Sequence, residues 1–334
     1  MSHFLGFGTA LPEHRLGPEE SLAALSRIWP HLRGVKPVPV TRFTVQPPEQ
    51  VFRPAGFGAR LEVYAQAAPR LAEEAARRAL EASAVSASEV DLVVSVSCTG
   101  YLVPALDVHL CNRLGLRSDV VRVPLTELGC AGGAAAIALA HRHLQQGGQQ
   151  QVALVVCVEL CSLTFQPEDR SLDNLTAAMV FGDGAVATVL GAGQGGLEVV
   201  ATGTRLVPAS QDLLGFDLRQ DGFHPVLDRG LPQALEGELG GAVADFLGGG
   251  AKVDFYAIHA GGPRIFAAAE AALQLPATAL ELSRRVFAAT GNLSSGSLLA
   301  VLAELPSGPA GEGLALAFGP GVSIEMARLR RCPG

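Results

Sequence analysis

A chain of 334 residues, 49% apolar and only 17% charged, carries enough hydrophobic side chain to bury a large core, which excludes a disordered or low-complexity protein. The formal charge of −7, with no basic cluster longer than the Arg330-Arg331 pair, argues against a nucleic-acid partner. Aromatics make up 5% while Gly reaches 39, a bias towards small residues that lets helices and strands approach closely. Tightly packed α/β layers follow, in one large domain or two of ordinary size.

The mean hydropathy is positive, yet Gly, charge or turn residues interrupt each apolar run before about 18 positions, so no membrane span is expected. The opening MSHFLGFGTALPEHRL lacks the features of a signal peptide, and a cytoplasmic location is the expectation. Six cysteines in so long a chain then read as reduced thiols. Cys157 and Cys161 are spaced C-x3-C with no second pair beside them, which gives no zinc site, and no metal is expected.

In chain order, residues 61–83 alternate Glu, Arg and Ala with apolar positions at helical spacing, and Val90–Ser97 reads as a strand. Gly129-Cys130-Ala131-Gly132-Gly133 opens an Ala-rich helix, and Gln151–Val158 is a continuous apolar strand of the kind buried on both faces. Val186–Leu190, Ala251–Ile258 and Leu314–Phe318 read likewise as strands. Strands alternating with helices imply an α/β layered fold.

A short internal repeat divides the chain. Val90-Asp91 and Val253-Asp254 each lead into an apolar strand that ends at a small-residue turn, carrying Cys98 in one case and His259 in the other. Some thirty residues further on, the Gly129–Gly133 helix start is matched by Gly291-Asn292-Leu293-Ser294-Ser295-Gly296. Two copies of one α/β unit are expected, 1–192 and 193–334, divided near the Gly-rich stretch 191–196. Pseudo-twofold packing of the copies would bring Cys130, His259 and Asn292 into one site.

The chemistry of those three residues is coherent. Cys130, between glycines at a helix start, has free backbone N–H groups and a helix dipole that favour a thiolate nucleophile, although a free Cys also serves as a small hydrophobe in a packed helix. His259 ends an apolar strand and projects into a loop, where it either satisfies a local carbonyl or acts on a substrate. Asn292 is either an N-cap or a donor to a developing oxyanion. Together they form a Claisen-type set: a cysteine carrying an acyl thioester, with His and Asn holding a second thioester carbonyl during decarboxylation. Phe181 and Asp183 in Phe-Gly-Asp-Gly are by default a core residue and a turn former, but a phenyl ring beside a malonyl group would also exclude water.

Five segments carry a resemblance to a known family. Glu127–Gly133, Phe181–Gly184, Ile258–Pro263, Gly291–Ser295 and Phe318–Gly321 resemble, in order and spacing over nearly the whole chain, the type III polyketide synthases, the chalcone synthase-like branch of the thiolase superfamily. The resemblance implies a five-layered αβαβα thiolase-like fold built from two duplicated halves, and a homodimer. It makes Cys130 the nucleophile loaded from an acyl-CoA, His259 and Asn292 the decarboxylation and oxyanion pair, and Phe181 a gatekeeper at the CoA tunnel. Val103, before Pro104, falls where family members reach into the partner's cavity, and Gly319-Pro320-Gly321 matches the loop that scaffolds the cyclisation pocket. The second gatekeeper falls on Pro225 or, less directly, Phe223.

Within the family, Ser97–Gly100 and Glu159–Leu163 with Gln166-Pro167 are similar to bacterial 1,3,6,8-tetrahydroxynaphthalene synthases, which place a cysteine where Cys98 stands and use malonyl-CoA as starter and extender. Thr164-Phe165 departs from that pattern. Cys161 and Thr164, small cavity residues, also fit a tunnel for a fatty acyl-CoA starter, as in alkylpyrone and alkylresorcinol synthases. A single-round ketoacyl-ACP synthase III-like condensation and a catalytically silent thiolase-fold partner are the remaining readings. The expected substrates are malonyl-CoA and a starter acyl-CoA, with no bound cofactor, and Lys36, Arg42, Arg53 and Arg264 are the candidates for the CoA phosphates.

Overall fold

The computed structural model describes residues 2–146, 151–193, 196–250, 252–305 and 307–332. Its strands are β1 (Ser2–Ala10), β2 (His14–Leu16), β3 (Arg42–Thr44), β4 (Leu92–Val96), β5 (Val121–Leu125), β6 (Val152–Leu160), β7 (Asp183–Gly191), β8 (Gly196–Leu206), β9 (Leu214–Arg219), β10 (Gly222–Leu227), β11 (Phe255–Ile258), β12 (Gly311–Gly319) and β13 (Ser323–Cys332). The helices are α1 (Pro18–Ile28), α2 (Pro48–Val51), α3 (Phe57–Ser83), α4 (Leu106–Leu114), α5 (Gly132–Gln146), α6 (Leu172–Val180), α7 (Leu231–Leu247), α8 (Pro263–Leu273), α9 (Glu281–Thr290) and α10 (Ser297–Ala303).

Nine of the strands form one sheet in the order β11-β12-β13-β8-β1-β7-β6-β4-β5. Its two halves repeat the same pairing. β4 lies parallel to β6, which is antiparallel to β7, and β7 is antiparallel to β1. In the second half β11 lies parallel to β12, which is antiparallel to β13, and β13 is antiparallel to β8. The halves meet where β1 and β8 run antiparallel, Phe4 opposite Leu197. The expected duplication is therefore present in strand order and direction. Only β5, parallel to β4 at the outer edge, has no counterpart among the described strands.

Helices fill three layers around these halves. α5 touches β4 and β6 of one half and β12 and β13 of the other, and α10 touches β7 and β11, so both lie between the halves. α3 and α4 cover the first half from outside, α7 and α8 the second. The result is the expected five-layered αβαβα arrangement. Strands β4 and β7 are buried along their whole length, and β6 beyond its first residue, which is why they read as unbroken apolar runs rather than alternating ones.

The small-residue composition serves this layering. α3 turns Ala68, Ala72, Ala75, Ala76 and Ala79 inward, all fully buried, and lies against β1, β6 and β7. The approach is so close that a Cβ on Gly8 of β1 would stand 2.2 Å from the Ala75 carbonyl oxygen. Boundaries shift modestly from the sequence reading: the helix expected at 61–83 begins at Phe57, and the strand expected at Gln151–Val158 runs from Val152 to Leu160. Ala251, and residues 194–195 of the expected junction, lie outside the described residues. Among the described residues, no helix is long and apolar enough to cross a membrane.

Since neither the Gly8 backbone nor the α3 backbone can yield cheaply, Gly8→Val is expected to destabilise the fold by about 1–3 kcal/mol or more. The check is urea unfolding, read as a lower midpoint at unchanged slope.

Candidate active site

Cys130 lies in a single turn, Gly129–Ala131, that runs directly into α5. Asn292 precedes the matching turn, Ser294–Gly296, that runs into α10. The two turns pack against each other, and Gly133 is what permits it, because a Cβ there would lie 2.2 Å from the Ser295 carbonyl oxygen. The glycines after Cys130 thus admit the second helix start to the first. His259 follows β11, fixed by its backbone N–H to Leu316 O (2.8 Å) and by Gly261 N–H to its own carbonyl (2.7 Å).

Two cavities meet at this place. One, of about 260 Å³, is lined by Cys130, His259, Asn292, Phe181, Phe318 and Arg264 among others. The second, of about 310 Å³, is lined by Cys98, Cys130, Cys161, Thr164, Phe181, Phe223, Pro225, Ser294 and Pro320 among others. Cys130, Phe181, Leu214 and Leu227 face both. The three expected catalytic residues are therefore together, and Phe181 stands at the boundary between the chambers.

Asn292 makes the capping contacts of the first of its two sequence readings. Its Oδ1 accepts from the Ser294 backbone N–H (2.8 Å) and from Ser297 Oγ (3.0 Å), a capping pattern for the following turn. With Oδ1 so occupied by donors, the amide nitrogen is the group left to face the cavity that Asn292 and Cys130 both line. The His259 side chain is buried, and its Nδ1 has no hydrogen-bond partner among the described residues.

Burial drives both the Cys130 and the His259 side chain towards neutrality. The Cys130 thiol is pushed up to about 12 by desolvation, opposed chiefly by its hydrogen bonding to Ser294 Oγ. Desolvation carries the His259 imidazole down to about 3. Desolvation thus outweighs the helix-start effect that the sequence reading expected to favour a Cys130 thiolate. Asp183, expected as a turn former, is instead fully buried and accepts from Ser162 N–H (2.7 Å), Ser162 Oγ (2.6 Å) and Val45 N–H (2.8 Å).

Glu159, near the end of β6, is a site residue that was not singled out from the sequence. It is fully buried and accepts from Ser295 Oγ (2.6 Å), Thr99 Oγ1 (2.8 Å) and the Cys98 N–H (3.0 Å), with the Cys98 thiol 3.4 Å away. Ser294 Oγ lies 3.4 Å from the Cys98 sulfur and 3.6 Å from that of Cys130. Burial raises the Glu159 pKa while these donors oppose the shift. The signal was present, one carboxylate inside an otherwise apolar run.

Elsewhere the expected site residues separate. Cys161 and Thr164 form cavity wall, with a void of only about 10 Å³ behind them. Both Pro225 and Phe223 reach the larger cavity, where Phe223 packs against Tyr101 and Phe216. Pro320 also lines it, whereas Gly319 and Gly321 do not. Val103 is 99% exposed and meets neither cavity. Lys36 and Arg53 are exposed, and Arg264 lines the smaller cavity. Arg42 does not fit a phosphate contact: it is 3% exposed and bonds to Ser21 and to the Phe181 carbonyl.

Comparison with known proteins assigns the class. The family model for the N-terminal domain of chalcone and stilbene synthases matches residues 46–194, and that for the C-terminal domain matches 198–333. The 1,3,6,8-tetrahydroxynaphthalene synthase of Streptomyces peucetius subsp. caesius is 39% identical over 96% of this chain and 91% of its own. The crystal structure of 1,3,6,8-tetrahydroxynaphthalene synthase from Streptomyces coelicolor A3(2), a bacterial type III polyketide synthase, superposes with a TM-score of 0.91 at 32% identity, covering 99% of this chain and 100% of that one. CsyB complexed with CoA-SH gives a TM-score of 0.89 at 25% identity, covering 99% of this chain and 100% of that one. The chain belongs to the chalcone and stilbene synthase family. It is a type III polyketide synthase, an acyltransferase, which sets aside the silent-partner and single-round readings.

Glu159→Leu would strand three buried donors, so it is expected to cost about 3 kcal/mol or more, and Glu159→Gln, which keeps an acceptor, markedly less. Urea titration of both variants checks the order.

Proposed function

We propose that the enzyme condenses malonyl-CoA units on an acyl group held by Cys130 and closes the chain to a tetrahydroxynaphthalene-type product, with malonyl-CoA as both starter and extender. The observation that carries this reading is the shared wall: Cys130 and Phe181 face both chambers, and His259 and Asn292 line one of them. Relatives named for this product support the choice. The closed wall behind Cys161 and Thr164 favours a compact product over a long alkyl tail.

In the first step Cys130 Sγ attacks the thioester carbonyl of the starter as His259 accepts the thiol proton. The tetrahedral oxyanion collapses and CoA leaves as its thiolate, to be protonated by solvent, so the proton taken from Cys130 stays on His259. Malonyl-CoA then enters the smaller chamber, where the Asn292 amide and His259 donate to its thioester oxygen. The bond to the carboxylate breaks, CO2 departs, and the electron pair remains as an enolate stabilised by those donors. One such donor is worth roughly 2.7–4 kcal/mol in comparable sites. The enolate carbon attacks the Cys130 thioester, the cysteine thiolate leaves, and the extended chain is now on CoA for return to Cys130. The apolar ring of Phe181 disfavours the carboxylate relative to neutral CO2, which assists its loss.

Lys36 and Arg264 are the cations proposed to meet the CoA phosphates, and the reaction is proposed to need CoA thioesters and no bound cofactor. The enzyme is proposed to act in the cytoplasm as a homodimer. The exposed edge of β5, with Val121 46% and Val103 99% exposed, supplies the interface, and Val103 enters the partner's larger cavity.

Incubation with malonyl-CoA alone is expected to yield CoA, CO2 and an aromatic product by mass spectrometry, and Cys130→Ala to abolish acyl loading. Product from the Cys130→Ala variant would overturn the assignment, and product only when a fatty acyl-CoA is added would overturn the malonyl starter. Val103→Asp is expected to shift the protein towards monomer by sedimentation and to change product distribution, while unchanged sedimentation and products would remove Val103 from the cavity.

A further inference from the structure

Arg42 is turned wholly inward. Its Nη1 donates to the Phe181 carbonyl (3.2 Å), and its Nη2 and Nε donate to Ser21 Oγ of α1 (3.1 and 3.4 Å). That carbonyl belongs to the residue at the boundary of the two chambers. Phe181 is also bridged to Asn292: the Asn292 N–H donates to Val180 O (2.8 Å) and the Gly182 N–H donates to Asn292 O (3.0 Å). Arg42 lies against both strands of this bridge, since a Cβ at Gly291 would be 3.3 Å from Arg42 Cγ and one at Gly182 would be 3.7 Å from Arg42 Cα. Its own segment is fastened on either side, Thr41 N–H to Ala288 O of α9 (2.9 Å) and Val45 N–H to Asp183 Oδ2 (2.8 Å).

A buried guanidinium is costly to desolvate, and burial lowers its pKa to about 10 against the opposing field of Asp183. Packing alone would be met by an apolar side chain of similar length. What such a side chain cannot supply is the rigid fork of donors that ties Ser21 to the Phe181 carbonyl.

We propose that Arg42 is a positioning residue for decarboxylative condensation, setting the Phe181 backbone and, through the bridge, the Asn292 amide against the extender thioester. It rests on the roles given above to Phe181 and Asn292. Acylation of Cys130 does not need that alignment and should be spared.

The test compares Arg42→Met, Arg42→Lys and Ser21→Ala with the parent enzyme and with Asn292→Ala. It measures CO2 release from malonyl-CoA in the steady state and Cys130 acylation by intact-protein mass spectrometry, with far-ultraviolet circular dichroism to report folding. Arg42→Met is expected to lower kcat for CO2 release about tenfold or more while KM changes by less than about threefold and acylation persists. Arg42→Lys should recover part of the loss, and Ser21→Ala should show a smaller loss of the same kind. Folded Arg42→Met with parental CO2 release overturns the proposal, as does parental CO2 release by Ser21→Ala if Arg42→Met fails to fold. If Asn292→Ala itself leaves CO2 release unchanged, the roles given to the site are wrong, an outcome distinct from failure of Arg42 alone.

Discussion

The site depends on one close approach. The first turn of α5 presses against the turn that precedes α10, and between Gly133 and the Ser295 carbonyl there is no room for a side chain. This contact joins a helix start from each half of the fold. Cys130 comes from one and Asn292 from the other, and α5 and α10 hold them rigid because both helices lie between the two halves of the sheet. Backbone packed against backbone yields little, so the alignment does not rely on flexible loops.

Around that contact, buried polar groups divide the work. Glu159 gathers donors from Ser295, Thr99 and Cys98 and so fixes the floor beneath the two sulfurs. Asn292 uses its carbonyl oxygen to cap the adjoining turn, which leaves its amide as a donor. Asp183 secures Ser162 and hence the wall carrying Cys161 and Thr164, while Arg42 secures Phe181. The charged groups among them are each hydrogen-bonded, as a low-dielectric interior requires. The same burial favours the neutral forms of the Cys130 thiol and the His259 imidazole.

Much of this was legible in the chain itself. The apolar runs at β4, β6 and β7 announced buried strands, and the Val-Asp strand starts with their matching helix starts announced duplication, which the strand order bears out. Cys130, His259 and Asn292 followed from it. The failures share a physical cause: burial is a tertiary property. Arg42 reads as a surface cation because most arginines are, and only the packed fold shows its donors turned inward. Helix-start logic raised the expectation of a Cys130 thiolate, but desolvation in the assembled site is the larger effect. Asp183 looked like a turn former because its donors, Val45 and Ser162, are remote in sequence. Glu159 was visible as a lone acid in an apolar strand, though its partners were not.

The central claim is that loading and decarboxylation are separable acts performed by Cys130 and by Asn292 across one shared wall. Intact-protein mass spectrometry of Asn292→Ala during turnover with malonyl-CoA tests it most directly. The account predicts a single unextended acyl group accumulating on Cys130, with no longer intermediates and no product. Extended acyl masses on that variant, or an unacylated Cys130, would contradict it.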